Sequence, residues 1–175
     1  TQVFSESNDE ISEKCFTIIF SEKYKEGLEW CLLAAEQGNV DVQYMIGLMY
    51  GNGDGVTQDY KQAVKWLSLA AEQGDVNAQL QLGVMYFKGD GVTQDYKQAV
   101  KWYTLAAEQG NVDAQFIIGY MYDEGHNVTQ DYKQAFKWYT LAAEQGDVNS
   151  QLQLGVMYGN GKGVLEDNVF AHMWF

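Results

Sequence analysis

Residues 55–66 read GVTQDYKQAVKW, and residues 91–102 read the same letters again. The segment returns at 127–138 as NVTQDYKQAFKW, so the interval is 36 residues both times. Working outward, Gly38, Gly74, Gly110 and Gly146 keep this interval, as do Gly47, Gly83, Gly119 and Gly155. So do Tyr50, Tyr86, Tyr122 and Tyr158, and the series Trp30, Trp66, Trp102, Trp138 and Trp174. A period of this length is the mark of a repeat architecture, in which units stack because none can bury its apolar face alone. Alternate units are the more alike. GDVNAQLQLGVMY at 74–86 returns at 146–158 with Ser150 in place of Ala78, as after duplication of a two-repeat block.

Each unit divides into two helices. In the unit from Gly38 to Gln73, Val42, Ile46, Met49 and Tyr50 give helical spacing to a first helix over about 40–50. A glycine-rich break, GNGDG, follows. Thr57 or Asp59 caps a second helix from Tyr60 to Gln73, and Gly74 ends it in the left-handed conformation. Tyr60, Ala63, Val64, Leu67, Ala70 and Ala71 form its expected buried stripe, with Lys61 and Lys65 on the wet side. A glycine inside a helix costs about 1 kcal/mol against alanine. Gly47 recurs nonetheless, which predicts a close approach between the two helices opposite Ala63 and Ala70. Trp66 is expected to fill the space between adjacent units.

The pattern A-x4-G-x2-Y-x2-G-x-G-V-x2-D-x3-A-x2-W-x3-A-A-x2-G resembles the Sel-one-like repeat, a relative of the tetratricopeptide repeat. The matching residues in one unit are Ala78, Gly83, Tyr86, Gly89, Gly91, Val92, Asp95, Ala99, Trp102, Ala106, Ala107 and Gly110. The resemblance covers residues 24–174. It implies an all-α fold, an α-α superhelix (solenoid) of antiparallel helix pairs with a concave face lined by first helices. Residues 1–175 then form a single solenoid domain. Residues 1–37 are a degenerate N-terminal capping unit; 38–73, 74–109 and 110–145 are full repeats; 146–175 are a truncated last repeat. In the capping unit Ile11, Cys15, Ile18 and Ile19 have helical spacing, and Ser21 caps a helix from Glu22 to Gln37. Asn127 departs from the pattern at a glycine position, where asparagine tolerates positive φ best. The chain starts at Thr1 and stops at Phe175 inside a helix, so it reads as a processed or excised piece, with Trp174 and Phe175 exposed as a route to a weak dimer of an otherwise monomeric chain.

Composition narrows the function. The net charge is −13, and the basic residues are lysines without a single arginine. Such a surface repels phosphates, which argues against nucleic acid and anionic membranes. No apolar run reaches the ~18 residues of a membrane span. Cys15 and Cys31 do not recur with the repeat and read as half-buried free thiols, a pattern that leans to the cytoplasm. Removal of a signal peptide and a secreted or periplasmic site remain open to the sequence.

No catalytic constellation emerges. GNGDGVTQD at 51–59 looks like a calcium loop, but alignment puts Tyr50 and Lys61 where that loop needs aspartate and glutamate. The same glycines lack the lysine and flanking strand of a phosphate cradle. Some family relatives are linked to β-lactams or the cell wall, yet no serine here has lysine three residues later. His126 and His172 lie far from either cysteine and suggest neither triad nor zinc site. The carboxylates read as caps and solvated faces. Asn127-Val128-Thr129 matches a glycosylation sequon, a weak pattern. The chain is read as non-enzymatic, without cofactor or metal.

Comparison of the repeats with one another locates a partner surface. Differences gather at four positions of the first helix, spaced as one helical face. They read Asp41, Met45, Leu48, Asn52; Asn77, Gln81, Val84, Lys88; Asp113, Ile117, Tyr120, Glu124; and Asn149, Gln153, Val156, Asn160. Positions committed to packing must repeat when units stack alike; these do not. The expected binding groove is Asp41, Met45, Leu48, Gln81, Val84, Asp113, Ile117, Tyr120 and Glu124. Its expected partner is a neutral or basic protein or extended peptide. The family resemblance implies the same kind of role: an interaction scaffold or adaptor, as in bacterial signalling, envelope and host-interaction functions and in eukaryotic protein quality control.

Overall fold

The computed structural model describes residues 7–20 and 24–174. Its helices are α1 (Asn8–Phe20), α2 (Tyr24–Glu36), α3 (Val40–Asn52), α4 (Tyr60–Glu72), α5 (Val76–Lys88), α6 (Tyr96–Glu108), α7 (Val112–Glu124), α8 (Tyr132–Glu144), α9 (Val148–Asn160) and α10 (Asn168–Trp174). No strand occurs among the described residues. The chain forms two compact units, divided between Asp95 and Tyr96. In the first, α1 to α5 pack as consecutive neighbours, and in the second α6 to α10 do so among themselves. Short loops joining packed neighbours make each pair antiparallel.

Local chemistry sets every boundary. Asn39, Asp75, Asn111 and Asp147 cap the first helices, each accepting from the backbone N–H three residues on. Asp59 caps α4, accepting from the N–H groups of Lys61 and Gln62 at 2.9 and 3.1 Å. Of the two expected candidates, Asp59 and not Thr57 is therefore the cap. Gly53 ends α3 at φ +83°, and Gly74 stops the chain after α4 at φ +98°. Asn127 takes φ +62°, as its place in the pattern predicts.

The helices of a pair do approach closely at Gly47, but the residue opposite is Leu67 rather than Ala63 or Ala70. A Cβ on Gly47 would stand 2.6 Å from Leu67 Cγ. In unit 2 Gly119 faces Tyr139 in the same way, at 2.8 Å. Tyr60 also departs from expectation, being 41% exposed, while Trp66 is buried as expected. Trp66 belongs to a core with Val42, Ile46 and Met49 and with Cys15, Cys31, Ala34 and Ala35 of the preceding pair.

Polar clamps hold successive pairs together. Gln43, Gln79 and Gln115 are buried. Each donates its side-chain amide to a carbonyl near the end of the preceding helix: Ala35 O at 2.9 Å, Ala71 O at 3.2 Å and Ala107 O at 3.1 Å. Gln73 donates in turn to Gln43 Oε1, and Gln145 to Gln115 Oε1. Each of these carbonyls also accepts from the N–H of Gly38, Gly74 or Gly110, so the glutamine gives it a second hydrogen bond where water is excluded. The sequence reading did not anticipate this relay.

Two further expectations are corrected. Cys15 and Cys31 are not free thiols; they form a disulfide between α1 and α2, with Cα atoms 4.8 Å apart. Packing of the two helices brings together positions that the repeat pattern leaves unrelated. Trp174 is half-buried against a core with Ala135, Tyr139, Leu154 and Met157 rather than exposed. Phe175 and the expected cap Ser21 lie outside the described residues.

Two stability outcomes follow from this packing. The disulfide closes a separation of 16 residues, so Cys15→Ala/Cys31→Ala should lower unfolding free energy by about 3 kcal/mol, read from urea denaturation. Gln115→Ala removes one bond each from the Ala107 carbonyl and the Gln145 amide, which keep the Gly110 N–H and the Gly110 carbonyl as partners; denaturation of that variant should show a loss of about 0.5–1.5 kcal/mol.

Candidate partner-binding site

In unit 1 the first helices α3 and α5 flank a hollow floored by α4. Its volume is about 210 Å³. Gly47, Leu48, Gly51 and Asn52 come from α3, and Tyr60, Ala63 and Leu67 from α4. Gln81, Val84, Met85 and Lys88 come from α5, and Asp90 from the loop after it. The hollow exists because Gly47 and Gly51 bring no side chain into it. Leu48, Val84, Leu67 and Met85 make its walls apolar, while Asn52, Gln81, Lys88 and Asp90 add polar groups.

The structure brings together some of the residues that the repeat comparison singled out, and separates others. Leu48, Gln81 and Val84 line this one hollow, with Asn52 and Lys88 of the same varied stripe. Asp41 lies at the other end of α3, exposed in the first turn, where its charge suits the helix dipole. Asp113 has the same place in α7. Met45 is half-buried and packs against the unit 1 core, so it serves packing as well as surface. In unit 2, Ile117 is half-buried, Tyr120 is 42% exposed, and Glu124 ends α7 in solvent. The Tyr120 ring lies 5.6 Å from that of His126.

Sequence reasoning missed Tyr60 and Asp90. Tyr60 recurs in every full unit and so looked committed to the core. Asp90 carried a usable signal, because its position reads Asp54, Asp90, His126 and Lys162 and so is not fixed across the units. Neither is the position that reads Gly51, Phe87, Asp123 and Gly159.

That second position produces a buried charge, against the expectation that carboxylates lie on solvated faces and in caps. Asp123 is 6% exposed. Lys162 Nζ stands 3.7 Å from Asp123 Oδ1, and 4.8 Å from the centroid of the Tyr132 ring. Neither Asp123 Oδ1 nor the buried Tyr139 hydroxyl has a hydrogen-bond partner. Burial pushes the phenol of Tyr139 well above the ordinary tyrosine range, and the charges of Asp123 and Glu124 push it further. Burial alone raises Tyr103 to about 12. Among the described residues no group of three or more histidine, cysteine or carboxylate side chains is placed to hold a metal ion. No helix of the described chain is long and apolar enough to cross a membrane.

Paired helices, a glycine-set approach at Gly47 and Gly119 and a varied first-helix face define an α-solenoid repeat protein. The Sel1 repeat profile matches residues 21–39, 40–75, 76–111, 112–147 and 148–175, and the chain belongs to the Sel1 repeat family. It is similar to a Sel1 repeat protein from Oxalobacter formigenes, with 36% identity and a TM-score of 0.86 over 91% of this chain. It is also similar to c5321, a protective antigen of uropathogenic Escherichia coli with this repeat fold, at 40% identity and a TM-score of 0.84 over 97% of this chain. The chain spans 66% of the first protein and 40% of the second. A third likeness is to Helicobacter pylori cysteine rich protein B, at 25% identity and a TM-score of 0.56, covering 73% of this chain and 92% of that one. No curated protein matches the chain.

The raised phenols have a measurable consequence. Tyr103 and Tyr139 hold their protons more tightly folded than unfolded, so their contribution to stability is complete below about pH 10. It is lost as pH rises through the folded value, which for Tyr103 is about 12. Tyrosinate absorbance should therefore show a late-ionising fraction that titrates together with alkaline unfolding. Tyr139→Phe removes an unpaired buried hydroxyl and should stabilise the fold at neutral pH by about 1 kcal/mol.

Proposed function

We propose that this chain is a non-enzymatic scaffold that binds a protein or extended peptide along the varied face of its first helices. Sel1 repeat proteins are commonly protein-interaction scaffolds. The observation that carries the reading here is the unit 1 hollow, where Leu48, Gln81 and Val84 from consecutive first helices meet. A face that varies among otherwise near-identical repeats, and that encloses an apolar-walled recess with few polar groups, has the make-up of a recognition surface. The contributing positions are Asp41, Met45, Leu48, Gln81 and Val84 in unit 1, and Asp113, Ile117, Tyr120 and Glu124 in unit 2. A net charge of −13 favours a neutral or basic partner through long-range attraction. The β-lactam alternative draws no support from the hollow, whose lining contains no serine.

Capture from lysate with matched baits tests this. One bait is the native chain. A second carries Leu48→Ala, Val84→Ala and Tyr120→Ala, and a third carries Lys61→Ala, Glu72→Ala and Glu108→Ala on exposed positions of second helices. A partner retained by the first and third baits and lost by the second is the expected outcome. Loss on the third bait alone would move the surface to the second helices. Circular dichroism of each bait separates lost binding from lost fold.

A further inference from the structure

The two units carry the same framework, offset by 72 residues, and differ at the hollow in a way that points to its occupant. Position by position, Tyr60 corresponds to Tyr132, Gly51 to Asp123 and Asp90 to Lys162. In unit 2 this set is closed on itself. The Lys162 ammonium stands over the Tyr132 ring and beside the Asp123 carboxylate. A cation over an aromatic face next to a buried acid is a favourable place for an amine.

In unit 1 the same place is open. Gly51 supplies no side chain, the Tyr60 ring lies 41% exposed on the hollow, and Asp90 supplies a carboxylate where unit 2 has the lysine. The loop that carries Asp90 is seated like the loop that carries Lys162. A side chain at Gly91 would collide with the carbonyl of Tyr60, and one at Gly163 with the carbonyl of Tyr132. Asp90 therefore stands beside Tyr60 as Lys162 stands beside Tyr132. Unit 1 has no ammonium at the place of Lys162; Lys88 reaches the hollow from α5 instead, on its rim.

We propose that the unit 1 hollow is a docking site for a lysine side chain presented by a partner protein, with its ammonium over Tyr60 and paired with Asp90. The aliphatic stem lies along Leu48 and Val84, as long cationic side chains lie on apolar walls. The strongly acidic chain draws such a partner in. Lys88, on the rim from the last turn of α5, opposes the incoming charge and tempers the affinity. This inference rests on the scaffold reading and names the chemistry recognised at one part of that face.

The test is an NMR titration of the full chain with a short uncharged peptide carrying one central lysine, set beside its twin with Nε-acetyl-lysine. Amide shifts should move at Leu48, Asn52, Tyr60 and Asp90, and the acetylated twin should bind about tenfold more weakly or worse. Asp90→Asn should weaken binding, and Lys88→Ala should strengthen it. The sharpest variant is Gly51→Asp/Asp90→Lys, which gives unit 1 the self-filled arrangement of unit 2 and should abolish the shifts. The new side chain fits, because a Cβ at Gly51 would meet the Ala63 Cβ at an ordinary 3.7 Å. Equal binding of the two peptides, unchanged binding by Asp90→Asn, shifts confined to other residues, or no binding by the native chain would each overturn the proposal. A captured partner that depends on Leu48, Val84 and Tyr120 but ignores Asp90→Asn would leave the scaffold reading in place while ending this one.

Discussion

Everything in this fold depends on how closely the two helices of a repeat approach each other. At Gly47 the backbone of α3 comes so near Leu67 of α4 that a single added carbon would overlap it. Gly119 and Tyr139 repeat the contact in unit 2 with a larger partner. The glycine gives up helix propensity, a cost of about 1 kcal/mol. In return the pair closes tightly enough to bury small residues such as Ala63 and Ala70. That tightness also shapes the surface. Glycines that admit the neighbouring helix leave recesses between successive first helices, and the unit 1 hollow is one of these.

Stacking one pair on the next needs a different device, because the join exposes helix ends. The buried glutamine relay answers this by offering amide donors to carbonyls at Ala35, Ala71 and Ala107. A hydrogen bond of this kind adds little in net terms, yet leaving it unmade is costly. The relay therefore fixes register more than it adds stability. Two pairs sliding past each other would break all of these bonds at once. At the N-terminal end, where the repeat pattern is weakest, a disulfide between α1 and α2 adds a covalent link within the pair.

Much of this was legible in the sequence, for a simple reason. Periodicity reports packing, and packing positions repeat. The 36-residue interval gave the helix pairs, Asp59 and Gly74 gave helix ends, and Gly47 gave the close approach. What stayed hidden depended on which way a side chain turns. Tyr60 repeats like a core residue, but what the following repeat contacts is its backbone, through Gly91, and the ring stays open. Asp123 looked like one more surface acid in an acidic chain; only Lys162, two loops of sequence away, explains its burial. The cysteines gave no repeat signal because they belong to the one pair that departs from the pattern. The stripe at Leu48, Gln81 and Val84 was visible because it varies, and the structure gathers those three around one recess. The same comparison applied to the loops would have added Asp90.

On the proposed reading the first helices contribute to the core and also carry recognition, while the second helices pack. Hydrogen–deuterium exchange on the chain alone and bound to its captured partner tests this division most directly, since it reports every helix at once. Slowed exchange on binding in α3, α5, α7 and α9, with α4, α6 and α8 unchanged, is the predicted result. Protection gathered on α4, α6 and α8 would contradict it.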